Sequence, residues 1–136
     1  MQHATGPELA LEVEAGAAEL REARAALRSH LEELDLGLRV ANAVLDVAHE
    51  LIVNAHQHGA PPVRLTVLAG ADDVRVEVFD ASTNPARLLP YRPGVSEHGL
   101  GLQLVRQLSL TWGQTMEPEG PGPAGKSVWA VFPRTR

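Results

Sequence analysis

The stretch Asp46 to Gly59, Asp-Val-Ala-His-Glu-Leu-Ile-Val-Asn-Ala-His-Gln-His-Gly, limits the fold more than any other part of the chain. Leu45, Ala48, Leu51, Ile52 and Ala55 recur at steps of three and four, which predicts a helix with one apolar face. Glu50, Asn54 and His58 stand four apart and therefore line one edge of that helix. Gly59 predicts the stop, taking a left-handed cap, and Pro61 and Pro62 cannot continue the helix. The chain must bury the apolar side of this helix under another layer. A carboxylate and a carboxamide one turn apart then sit at the rim.

The flanking sequence supplies the layer. Met1 to Glu8, with Gly6-Pro7, reads as a disordered polar tail, and residues 9–136 as one domain. Leu9 to Val13 alternates like a short edge strand. Ala17 to Leu34 is rich in helix formers, with Leu20, Ala23, Leu27, Leu31 and Leu34 on one face. Asp35-Leu-Gly37 breaks the chain before the long helix, which the spacing starts near Leu38 and ends at His58. Val63 to Leu68 and Val74 to Phe79 alternate apolar and polar residues around Gly70-Ala-Asp-Asp73, an antiparallel hairpin. Asp80 to His98 holds Pro85, Pro90 and Pro93 and forms a loop of about 18 residues, a length that is usually functional or disordered. A helix with Leu102, Val105 and Leu108 on its apolar face follows. Strands over Leu110 to Met116 and Lys126 to Phe132 close the chain around a Pro- and Gly-rich link. The order β-α-α-β-β-loop-α-β-β predicts an α+β fold, helices layered on one face of a mainly antiparallel sheet.

Composition narrows the function. The net charge is −5, without a run of Lys or Arg, and only 4% of residues are aromatic. A basic patch for nucleic acid or an anionic membrane is therefore not expected. The chain has no cysteine, so disulfides and thiolate metal sites are excluded. No apolar run approaches the roughly 20 residues of a membrane span. The N-terminal residues show no secretory pattern, so a cytoplasmic protein is expected.

Three groups of residues can carry chemistry, and each has a plain alternative. Glu50 and Asn54 either face solvent or form a site. In a site, Asn54 would give an amide oxygen to a Mg²⁺ that carries phosphates, and Glu50 would orient or deprotonate a nucleophile. Gly94-Val-Ser-Glu-His-Gly-Leu-Gly101 opens a helix, where Gly99 and Gly101 would let the backbone approach a phosphate. It lacks the Gly-Lys-Ser/Thr of a P-loop, and Gly125-Lys-Ser127 lacks the upstream glycine. Asp80 closes a strand, either starting a turn or accepting from an exocyclic amine such as that of adenine. A zinc protease motif fails, because His49-Glu50 would need a histidine at position 53, which is Val53.

Taken together, these residues resemble a known family. Glu50-Leu-Ile-Val-Asn54-Ala-His-Gln-His58-Gly59 resembles the N box of the GHKL ATPases, which include gyrase and the histidine kinases. Asp80 stands where the family's first glycine box begins, Gly99-Leu-Gly101-Leu matches the second, and Lys126-Ser-Val-Trp-Ala-Val resembles the closing strand. The resemblance covers about Leu38 to Phe132 and implies the two-layer Bergerat ATP-binding fold. Within the family, the small size and the Gly-Leu-Gly-Leu helix are most similar to the anti-sigma factor serine/threonine kinases.

That resemblance implies ATP and Mg²⁺ as cofactors. It makes Asn54 the Mg²⁺ ligand and Glu50 the general base. Asp80 would contact adenine, with His58 and Ser82 bordering the pocket and Gly99, Leu100 and Gly101 along the phosphates. Arg87 and Arg92 would lie in a lid. The implied partners are a sigma factor and an anti-anti-sigma antagonist, phosphorylated on serine or threonine, and a homodimer through the N-terminal strand and helix is allowed. One departure stands out. The first glycine box usually reads Asp-x-Gly-x-Gly, and here Ser82 and Asn84 replace both glycines in Asp80-Ala-Ser-Thr-Asn84. Asn tolerates positive φ better than most residues. The alternative reading is an inactive module of the same fold that only captures a partner.

Overall fold

Alternating side chains in two neighbouring segments build the centre of the sheet. The computed structural model describes residues 8–86 and 99–134, the side chains of 99–103 excepted. The elements are β1 (Leu9–Glu12), α1 (Ala17–Glu33), α2 (Leu38–His58), β2 (Arg64–Ala69), β3 (Asp73–Asp80), α3 (Gly99–Leu108), β4 (Thr111–Glu117) and β5 (Gly125–Pro133). This is the order expected from the sequence. The strands form one sheet in the order β1-β2-β3-β5-β4, with every pair antiparallel. The fold is α+β, an open antiparallel sheet with helices.

Strand parity decides what each face carries. Leu65 and Val67 of β2, Val74, Val76 and Val78 of β3, and Val128, Ala130 and Phe132 of β5 are all buried in the core beneath the helices. The opposite parity carries polar and aromatic groups. There Arg64 lies over the Phe79 ring at 5.2 Å and Arg75 over the Trp129 ring at 4.4 Å.

α2 buries eight residues, Val40, Val44, Leu45, Val47, Ala48, Leu51, Ile52 and Ala55. The stripe is wide because α2 packs against α1, α3, β3 and β5 together. Burying each Val, Leu or Ile is worth about 1.5–3 kcal/mol relative to exposure. That is the force that seats α2 on the sheet and fixes which of its edges stays polar. α1 adds Ala23, Leu27 and Leu31, and ends where Asp35 takes a left-handed backbone, φ 56°.

Some local expectations change. Gly59 is not a left-handed cap: its φ of −105° and ψ of −154° are extended, and the reason for glycine lies in its contact with Asp80. On α3, Val105 is fully buried, but Leu108, in the last turn, is 37% exposed, with Leu104 half-buried instead. Glu8, assigned to the tail, donates its amide to Val67 O at 2.7 Å and so continues the edge pairing. Met1 to Pro7 lie outside the described residues.

Candidate functional site

The site is assembled where α2 ends against the ends of β3 and β5. Along α2, Leu51, Ile52 and Ala55 are buried while Glu50 and Asn54 are half-buried. The same helix thus holds its polar edge at the rim of the core. Among the described residues, neither the Glu50 carboxylate nor the Asn54 amide has a hydrogen-bond or ion-pair partner. A carboxylate at the rim without a protein partner is available to a ligand. His58 lies exposed in the last turn.

Beyond His58 the chain runs directly over Asp80. A Cβ added to Gly59 would stand 2.6 Å from both Asp80 carboxylate oxygens, so only glycine permits this approach. The Ala60 amide donates to Asp80 Oδ1 at 3.4 Å, and the Ala81 amide donates to Ala60 O at 2.7 Å. The end of α2 and the end of β3 are thereby tied backbone to backbone. Gly125, at the start of β5, answers the same demand from the other side: a Cβ there would run into the Asp80 carbonyl and the Phe79 ring.

Asp80 is only 2% exposed and is ion-paired. Lys126, 4% exposed, sits directly opposite in the β3–β5 register and places Nζ 3.0 Å from Oδ1 and 3.0 Å from Oδ2. Both residues share strand parity with the core valines and so lie on the helix-covered face. Sequence reasoning did not pair Lys126 with Asp80. The signal was present: position 126 has the inward parity of Val128, Ala130 and Phe132, where a lysine has no ordinary place.

The segment after Asp80 closes without glycine. The Ser82 amide donates to Asp80 Oδ1 at 2.8 Å, and the Asn84 amide donates to Ser82 Oγ at 3.1 Å. Among the described non-glycine residues only Asp35 has positive φ, so Asn84 does not use the left-handed tolerance expected of it. Side-chain acceptors shape this turn in place of glycine freedom. Gln114 of β4 then clamps both backbone groups of Ala86: the Ala86 amide donates to Oε1 at 2.8 Å and Nε2 donates to Ala86 O at 3.1 Å.

Gly99, Leu100 and Gly101 form the start of α3, which packs against α2. Arg87, Arg92 and the stretch Gly94 to His98 lie outside the described residues. Among the described residues no group of three or more His, Cys, Asp or Glu could hold a metal ion by itself. The free oxygens of Glu50 and Asn54 are hard donors of the kind Mg²⁺ takes singly when phosphates and water supply the rest. The residues present therefore fit a metal that arrives with a phosphate ligand. No helix of the described residues is long and apolar enough to cross a membrane.

Residues 13–131 match the family profile of the histidine kinase-like ATPase domain. In structure the chain is similar to the RsbU and RsbW domains of Rv1364c from Mycobacterium tuberculosis, with a TM-score of 0.64 and 21% identity. That likeness covers 94% of this chain and 33% of the other, so the chain spans about a third of that protein's solved length. At this identity the likeness is one of fold. No curated protein matches the sequence significantly.

Proposed function

The chain belongs to the histidine kinase-like ATPase domain family, and from that premise we propose that it is a cytoplasmic, Mg·ATP-dependent serine/threonine protein kinase of the anti-sigma type. Its partners would be a sigma factor, which it binds, and an anti-anti-sigma antagonist, which it phosphorylates. The observation that carries this reading is the Glu50–Asn54 edge at the rim of the core, unpartnered among the described residues and one helix turn from the chain reversal over Asp80.

Each residue has a physical task. Asn54 would hold Mg²⁺ through its amide oxygen, and Asp80 would accept from the amine of the base. His58 and Ser82 would border the pocket. Gly99, Leu100 and Gly101 would offer backbone amides to the phosphates at a helix start, where the N–H groups and the dipole favour negative charge. ATP supplies the phosphoryl group and Mg²⁺ the charge neutralisation. Glu50 would accept the proton of the acceptor hydroxyl, while positioning and electrostatics do most of the work, as in phosphoryl transfer generally. A second reading, a partner-binding module without catalysis, is favoured by the replacement of both box glycines by Ser82 and Asn84.

Two assays on wild type and Glu50→Ala test the reading: titration with Mg·ATP, and transfer of γ-labelled phosphate to protein in extract of the native cell. The variant is expected to bind nucleotide within a few-fold of wild type and to lose labelling on serine or threonine. Equal labelling by the variant removes Glu50 from the mechanism. Binding without labelling by wild type moves the assignment to the partner-binding module, and no binding withdraws the nucleotide site altogether.

A further inference from the structure

The Asp80–Lys126 pair is the most enclosed pair of opposite charges among the described residues. The chain has 12 Lys and Arg residues, and Lys126 alone among them is lysine. We propose that Lys126 is an internal competitor of the nucleotide: its ammonium holds Asp80 in place of the amine of the base, and binding requires it to leave. This deepens the nucleotide reading of the same site and rests on it.

Both carboxylate oxygens are in use. Oδ1 of Asp80 receives the Ser82 amide at 2.8 Å, the Ala60 amide at 3.4 Å and Lys126 Nζ at 3.0 Å. Oδ2 receives Lys126 Nζ, also at 3.0 Å. Asp80 is 2% exposed and Lys126 4%, so a ligand amine does not reach the carboxylate while the pair stands. The ammonium offers N–H donors and no acceptor, which is what the amine of a base would bring to the same oxygens. The two exclude one another, and the ammonium, tethered to the adjoining strand, competes at the effective concentration of an intramolecular group.

The enclosure has a source in the topology. β5 lies between β3 and β4. The segment that leaves Asp80 on β3 is held at Ser82 by Asp80 itself and at Ala86 by Gln114 of β4, so it crosses β5. Asp80 stands opposite Lys126 and Gln114 opposite Val128. Ala86 packs against the core, which puts the crossing over these two positions on the helix-covered face. From the α2 side, Gly59 and Ala60 close on the same carboxylate.

Stability alone is a poor reason for the pair, since apolar residues of similar volume are often as stable as a buried ion pair or more so. The neighbouring inward positions, Val78 and Val128, are apolar and buried. The choice of lysine makes the contact releasable. Arginine grips a carboxylate through a planar two-point fork, whereas lysine is a point charge on a flexible stem. Met116, the inward neighbour of Lys126 on β4, is 44% exposed, so the Lys126 side chain lies one strand from solvent.

The test measures the Kd for Mg·ATP on wild type and on Lys126→Met by titration calorimetry. The variant keeps both amide bonds to Asp80 and removes the competitor. Apparent affinity falls with the fraction of protein in the competent state, so Lys126→Met is expected to bind at least about fivefold more tightly than wild type. A smaller gain overturns the proposal and leaves the ATP reading standing. Removing one partner of a buried ion pair is costly, so a measurement on wild type decides if the variant does not fold. Acetic anhydride followed by peptide mapping reads the chain's single lysine. Saturating Mg·ATP is expected to speed its acetylation, the opposite of the shielding that a bound ligand gives to side chains it covers. An unchanged or slower rate overturns the proposal. Failure of both proteins to bind Mg·ATP removes the ATP reading and this inference with it.

Discussion

Gly59 shows how much one hydrogen atom can decide. Any larger residue would place a Cβ 2.6 Å from both oxygens of a carboxylate that Lys126 and two amides already hold. Neither partner can yield without breaking the ion pair or lifting the end of α2. Gly59→Ala is therefore expected to cost about 1–3 kcal/mol, the usual penalty for overpacking a filled site. Gly120→Ala, where nothing lies within 4 Å, should stay within about 0.5 kcal/mol, as surface substitutions do. Urea unfolding of both variants measures the difference, and equal midpoints would show that the contact is soft. Sequence reading found the glycine as a helix stop and missed its purpose. Local spacing carries the stop, whereas the clash partner lies at position 80.

The elements were the most legible part of the chain, because their signals are local. The apolar spacing in α2 and the alternation in β2 and β3 fix helix and hairpin from within each segment. The turn after Asp80 was less legible, since its shape comes from side-chain acceptors and from Gln114, which lies on a distant strand. That turn offers a prediction at its own scale. Gln114→Ala removes both bonds to the backbone of Ala86 and leaves the strand pairing with Val128 in place. Global stability should fall by less than about 1.5 kcal/mol, since an exposed hydrogen bond contributes about 0.5–1.5 kcal/mol net. Amide exchange at Ala86 should speed up by roughly threefold to tenfold while amides of β3 keep their protection. Unchanged exchange at Ala86 would mean that Gln114 does not hold the turn.

At the scale of the molecule, the candidate site depends on elements that meet only after folding. Asp80 and Lys126 are 46 residues apart, and their pairing follows from the β3–β5 register rather than from any motif. That Glu50 and Asn54 share one edge of α2 was legible because both lie on one helix; the Asp80–Lys126 pair was not, because it depends on a partner strand. A ligand that engages α2, the end of β3 and the start of α3 together should therefore stabilise the whole fold, not one segment. Mg·ATP at 100 times its Kd adds about 2.7 kcal/mol to the native state. For a domain of this length each kcal/mol raises Tm by roughly 3–5 °C. Wild type is expected to show a Mg²⁺-dependent rise of that size in thermal unfolding. Asn54→Ala should fold alike but lose most of the rise, because the amide oxygen proposed to meet the metal is gone. A rise that persists in Asn54→Ala would move the metal contact elsewhere on the chain. A wild type unmoved by millimolar nucleotide would mean that the Ser82–Asn84 turn and the Lys126 pair have closed the site, leaving the fold as a surface for another protein.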